Sequence, residues 1–326
     1  MQEFLYTMDA ILPMMILIAL GYMLKVLRLF DEAVTKGLNK FTFIVSIPVL
    51  VFYNIYNIEK LVVDTNLIIF SVVSILVLFF LGILFNRYFK TSDRNKSVML
   101  QNFFRTNTST MGLQVVAVMG ISIAAQTNVA AMVGISIATF NMLGVIAFQI
   151  YNKSAGKIKI GKLLISIITN PIIVGVLCGF GALGLRAIVG YHWLSENLSP
   201  VFIAVKEVAK VSSPVALIAL GASFTFSSFK ELKKEIIAGV LIRTVIVPAI
   251  IFGIAIGLKD VLGFNENHFP ALVVVMLPSL AVATAPMADS MNGNSKLAAQ
   301  LIVWTTIASS ITMFVVIYIL KVLMLV

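Results

Sequence analysis

Apolar runs of about twenty residues follow one another along the chain, separated by short segments that hold most of the charges. Coiled as helix at about 1.5 Å per residue, such a run spans roughly 30 Å, the thickness of bilayer hydrocarbon. The pattern predicts ten spans, roughly 9–28, 36–56, 66–89, 96–121, 127–151, 162–187, 200–226, 234–257, 268–291 and 296–324. Because the runs are continuous rather than alternating, a membrane β-barrel is excluded. No intervening segment is long enough for a soluble domain, so residues 1–326 read as a single membrane domain.

Composition agrees: 60% of the 326 residues are hydrophobic and 12% charged, with a mean hydropathy of +1.04. No soluble core hides that much apolar surface. The net charge of +10 does not point to nucleic acid, because the basic residues lie in the loops. Loops after spans one, three, five, seven and nine hold sixteen Lys and Arg, against five on the opposite side. By the positive-inside rule the richer side is cytoplasmic, which places the protein in the cytoplasmic membrane with both termini outside. The N-terminal segment carries Glu3 and Asp9 but no basic cluster, so the first span is expected to remain in the mature protein. Cys178 lies in an apolar run and reads as a packing residue.

The two halves echo each other. Pro13 precedes Gly21 by eight residues, as Pro171 precedes Gly179; Lys40 precedes Pro48 by eight, as Lys206 precedes Pro214. Ser-Ile-Pro-Val at 46–49 parallels Ser-Ser-Pro-Val at 212–215, and a similar offset lays span four on span nine. Five spans is an odd number, so a second copy must enter the membrane inverted. The expectation is an all-α polytopic membrane protein with a 5+5 inverted repeat, repeat one about 9–151 and repeat two about 162–324. That architecture belongs to secondary transporters, which bind solute at the midplane between discontinuous helices.

Span four holds the densest polar cluster. Arg105, Asn107, Thr108, Ser109, Thr110 and Gln114 fall within ten residues, with Gly112 among them. Polar groups at membrane depth mark a pathway or site, and glycine lets the helix open. In span nine Pro278 and Pro286 each remove a backbone donor, so that helix should also break and expose Ser279 and Thr284. Asn141 on span five is a further candidate ligand. Arg105 has the fork geometry to hold a carboxylate, or it reaches back to the cytoplasmic interface. Asp289 is the candidate for ion coupling, or an interfacial residue at the end of its span. Enzymatic signatures are missing: there is no phosphate-binding GxxxxGK[ST] loop, no metal-ligand spacing, and no histidine placed to activate Ser122 or Ser136.

Asn-Thr-Ser-Thr-Met-Gly-Leu-Gln at 107–114 resembles the Asn-Thr-x-x-Met-Gly-Ile-Pro of the auxin efflux carrier family, which includes plant PIN proteins and bacterial malate and malonate permeases. Ile-Pro-Val-Leu-Val-Phe-Tyr-Asn-Ile at 47–55 is similar to the family's second helix, Asn170-Pro171 to its sixth, and Leu-Pro-Ser at 277–279 with Asn292-Gly293 to its ninth. The resemblance implies ten helices in an inverted repeat, a crossover of helices four and nine, outward termini, and a carboxylate bound beside the crossover asparagine, here Asn107. Gln114 stands where the family usually has proline, and the short 152–161 loop looks like that of a bacterial relative.

These readings converge on a carrier for a small organic anion, such as a mono- or dicarboxylate. It would work by elevator-like or rocking alternating access, with Pro48 and Pro214 shaping the hinge. A channel or solute-sensing receptor on the same fold is the alternative. No cofactor is expected, coupling to H+ or Na+ is left open, and the partners are a small carboxylate, the lipid bilayer and, where small residues permit it, a second copy in a homodimer.

Overall fold

The computed structural model describes residues 2–57, 64–113, 115, 119, 121–152, 165, 168–189 and 193–326. Among them every regular element is helical, apart from one isolated antiparallel bridge between Thr106 and Leu280. The principal helices are α1 (Gln2–Val26), α2 (Glu32–Tyr56), α3 (Thr65–Tyr88), α4 (Asp93–Phe104), α5 (Ile123–Tyr151), α6 (Pro171–Val189), α7 (Ser199–Ser223), α8 (Lys233–Gly257), α9 (Phe269–Met276), α10 (Thr284–Ser290) and α11 (Ser295–Val322).

Their starts are legible in the chain as side chains that accept from the first free backbone N–H groups. Asp31 caps α2, Asp64 caps α3, Ser92 caps α4, Ser122 caps α5 and Asn294 caps α11. Proline accounts for two internal irregularities. Pro48 and Pro248 lack an N–H and crowd the preceding turn. Just before each, the ladder widens into a π turn, Thr42–Ser46 in α2 and Ile242–Ile246 in α8. In α8 the carbonyl that Pro248 cannot serve, that of Thr244, accepts the Thr312 hydroxyl of α11 at 2.7 Å.

Among the described residues, five helices are long and apolar enough to cross a membrane: α2, α3, α5, α8 and α11. Shorter apolar stretches run over Leu12–Val26 and Pro171–Arg186. Their outward faces are hydrophobic too, with Phe80 62% and Ile311 65% exposed. A surface of that kind belongs in lipid, so the chain is a multi-pass helical membrane protein. Cys178 faces outward from α6 instead of packing inside, because an apolar run in lipid has no inner face that composition alone can reveal. The expected fourth and ninth spans are interrupted. α4 stops at Phe104, and the stretch expected at 268–291 is divided into α9 and α10.

Between helices in lipid there is little hydrophobic drive, so close backbone approach through small residues does the packing. α1 meets α7 where a Cβ on Gly21 would lie 2.0 Å from the Ile218 carbonyl oxygen and one on Gly221 would lie 1.9 Å from that of Ile18. α2 meets α6 in the same way, with Gly175 against Pro48 and Gly179 against Ile55. Gly221→Ala should therefore lower stability in detergent by about 1–3 kcal/mol. Gly253→Ala, with nothing within 4 Å of its Cβ, should leave it unchanged or slightly raised. Thermal melts of the two variants compare them directly, and equal midpoints would contradict this packing.

Candidate functional site

The two interruptions face each other. After α4 the backbone of Arg105 is extended, with φ −91° and ψ 124°, and Asn107 turns the chain into a short π-helical segment, Thr108–Gly112. The Asn107 carbonyl starts that segment by accepting from Met111 N at 3.0 Å and Gly112 N at 3.2 Å. Between α9 and α10 the chain is irregular from Leu277 to Ala283, with Pro278 inside the gap. Pro286 lies in the first turn of α10, where its missing N–H costs no intrahelical bond.

Backbone groups freed at membrane depth must be satisfied internally, and here each interruption serves the other. Asn107 N donates to the Ser279 carbonyl at 2.8 Å, next to the Thr106–Leu280 bridge. The Thr106 hydroxyl donates to the Val275 carbonyl at 2.8 Å. Leu280 N donates to Thr305 Oγ1 at 3.2 Å, and the Thr306 hydroxyl donates to Ser279 Oγ at 3.0 Å. Gly112 allows the close approach: a Cβ there would sit 2.5 Å from the Val274 carbonyl oxygen.

Arg105 is 2% exposed. Its Nη1 donates to Gln101 Oε1 at 2.7 Å and to Met287 Sδ at 2.6 Å, and its Nη2 to Asn141 Oδ1 at 2.8 Å. Asn141 is itself fixed by donating through Nδ2 to the Ile137 carbonyl at 2.8 Å. Gly144 leaves room for the guanidinium, since a Cβ there would lie 2.9 Å from Nη1. Every acceptor is neutral, and among the described residues no carboxylate lies within ion-pair distance of Arg105. A buried cation held by neutral groups lacks a counter-charge. The Asn107 amide is barely engaged: its nearest acceptor is Met14 Sδ at 3.8 Å, a weak one.

Beside the bridge lies a cavity lined by Arg105, Thr106, Asn107 and Thr108, by Asn54 of α2, Phe140 and Asn141 of α5, Ser212 and Ser213 of α7, and residues 281–283. Its water-accessible volume is about 70 Å³. At roughly 10–15 Å³ per water on that measure, this is room for about half a dozen waters, a fit for a small solute.

Of the residues the sequence nominated, Arg105, Asn107, Thr108 and Asn141 therefore share one cavity. Ser279 and Thr284 are buried but hold neighbours: Ser279 as above, and Thr284 by donating to Gln101 Oε1 at 3.4 Å. Gln114 lies outside the described residues. Pro214 follows the lining Ser212 and Ser213 in α7, whereas Pro48 sits against Gly175 at the α2–α6 contact. Asp289 is exposed at the end of α10, with Asn39 Nδ2 3.4 Å from its carboxylate. The sequence reading missed Asn54, Ser212 and Ser213, each visible as a polar residue inside an apolar run. It also missed Gln101 and Met287, which accept from Arg105, and Arg243, a cation in the middle of the eighth span.

No curated protein matches the chain. Residues 6–317, nearly the whole sequence, match the profile of a family described as membrane transport protein. A helical membrane fold, two interrupted helices joined at their breaks and a polar cavity beside the junction accord with that match, and the chain belongs to this family of membrane transport proteins, the auxin efflux carrier family.

Proposed function

We propose that the chain is a secondary carrier that moves a small organic anion, such as a mono- or dicarboxylate, across the cytoplasmic membrane by alternating access. The observation that carries this reading is the uncompensated Arg105 guanidinium, buried beside the junction of two helix interruptions and lining a cavity with Asn107, Thr108 and Asn141. An anionic substrate supplies the missing charge, since carboxylate and guanidinium fit each other in two parallel hydrogen bonds. The amide of Asn107 and the hydroxyl of Thr108 then recognise the remaining oxygens. The small volume favours a short acid over a large amphiphile.

In this reading the interruptions at 105–107 and 277–283 are the crossover of spans four and nine in a ten-span, 5+5 inverted repeat, with both termini outside. Two observations support the repeat. Gly21 and Gly179, paired by their offset from Pro13 and Pro171, each provide a close helix contact, and those contacts join α1 to α7 and α6 to α2, as exchange of the halves requires. The α1–α7 and α2–α6 pairs would form the scaffold against which the crossover bundle moves.

Asn107→Ala should abolish uptake of labelled malate into liposomes while leaving the melting profile intact; near-normal uptake in that variant would remove Asn107 from the site. Arg105→Lys keeps the charge but loses the planar fork, and should raise KM roughly tenfold. Counterflow separates carrier from channel, because only a carrier accumulates label against an excess of unlabelled substrate. Repeating uptake with a pH gradient and then with a membrane potential alone identifies the coupling ion.

A further inference from the structure

Arg243 of α8 is fully buried, yet it does not line the cavity. Its Nη1 donates to the Phe103 carbonyl at 3.2 Å and its Nη2 to the Met276 carbonyl. Phe103 lies in the last turn of α4, and Met276 is the last residue of α9. One side chain thus holds the C-terminal ends of both interrupted helices.

The last carbonyls of a helix have no intrahelical partner, and each end carries roughly half a negative charge. Two ends together offer about one negative charge, which matches one guanidinium. That accounts for a cation with no carboxylate within ion-pair distance among the described residues. Arg243 sits in the π turn ahead of Pro248. Asn102 Nδ2, donating to the Gly239 carbonyl at 2.8 Å, fixes α4 to the same helix. Arg105 differs: its partners are side chains, and it opens onto the cavity.

We propose that Arg243 is a positioning residue that pins the ends of α4 and α9 together, so that the Arg105–Asn107 side of the site and the Ser279–Leu280 side keep their spacing as one unit. Its effect on transport rests on the carrier reading above; its effect on geometry does not.

The test separates the two. In a Cys178→Ala background, Thr106→Cys with Leu280→Cys places thiols across the antiparallel bridge, where facing Cα atoms lie about 5 Å apart, within disulfide reach. Oxidation of the purified full-length protein should cross-link this pair readily. Adding Arg243→Met should slow cross-linking about tenfold, the scale of losing hydrogen bonds from a charged donor. Arg243→Lys, which keeps the charge but cannot fork to two carbonyls, should fall between. In liposomes without the added cysteines, Arg243→Met should raise KM for malate about tenfold, with partial recovery in Arg243→Lys; a purely structural role would change the melting temperature and leave KM alone. Should the methionine variant fail to fold, the lysine variant decides by the same two readouts. Unchanged cross-linking and unchanged KM overturn the proposal. Absence of carboxylate uptake by the wild-type protein overturns the carrier reading, and the cross-linking rate still decides the role of Arg243.

Discussion

Backbone N–H and C=O groups in hydrocarbon have no water to turn to, and the centre of this molecule is arranged around that constraint. Two helices stop inside the protein, each leaving free carbonyls behind it and free amides ahead. The short pairing at Thr106, Asn107, Ser279 and Leu280 satisfies one break with the other, and Thr106 and Thr305 supply hydroxyls where backbone partners run out. Neither break is self-sufficient. The polar groups that line the cavity are held at fixed depth because removing either strand would orphan the other.

Two arginines sit at this junction in different electrostatic settings. Arg243 faces the negative ends of α4 and α9, so its charge is balanced by carbonyl dipoles already present in the fold. Arg105 faces amide oxygens and a thioether, which accept its protons without offsetting its charge. A buried ion in that state is strongly disfavoured until an opposite charge arrives. On the proposed reading the same residue type is structural in one place and a receptor for anions in the other, the difference being which acceptors the fold presents.

Around the junction, packing depends on small side chains. Gly112 lets the π turn after Asn107 lie against α9, Gly144 makes room for the Arg105 head group, Gly21, Gly175 and Gly221 bring outer helices into backbone contact, and Gly179 admits the Ile55 side chain. Close-packed helices slide or rock as rigid pieces rather than deforming, since interiors at crystal-like density do not compress. That is the mechanical property the proposed alternating-access mechanism would need of its scaffold.

Sequence alone was sufficient for whatever depends on local pattern. Runs of about twenty apolar residues fixed the membrane class, because no other environment accepts them. Ser92, Asp64 and Asn294 carry the capping chemistry of helix starts, and the polar cluster at Arg105–Gln114 pointed to the candidate site through its cost in lipid. Tertiary structure decided what depends on distant partners. Ser279 and Thr284 read equally well as ligands in the chain; in the fold Ser279 Oγ accepts from Thr306 and Thr284 donates to Gln101. Asn54 and Ser212 reach the cavity only because α2 and α7 pass beside it. Asp289, the candidate for ion coupling, lies exposed at the end of α10. Arg243 was one cation in an apolar run until two helix ends, more than thirty residues and more than a hundred residues away in sequence, were brought to it. Local pattern carries periodicity and cost; which group meets which is settled only when the chain closes on itself.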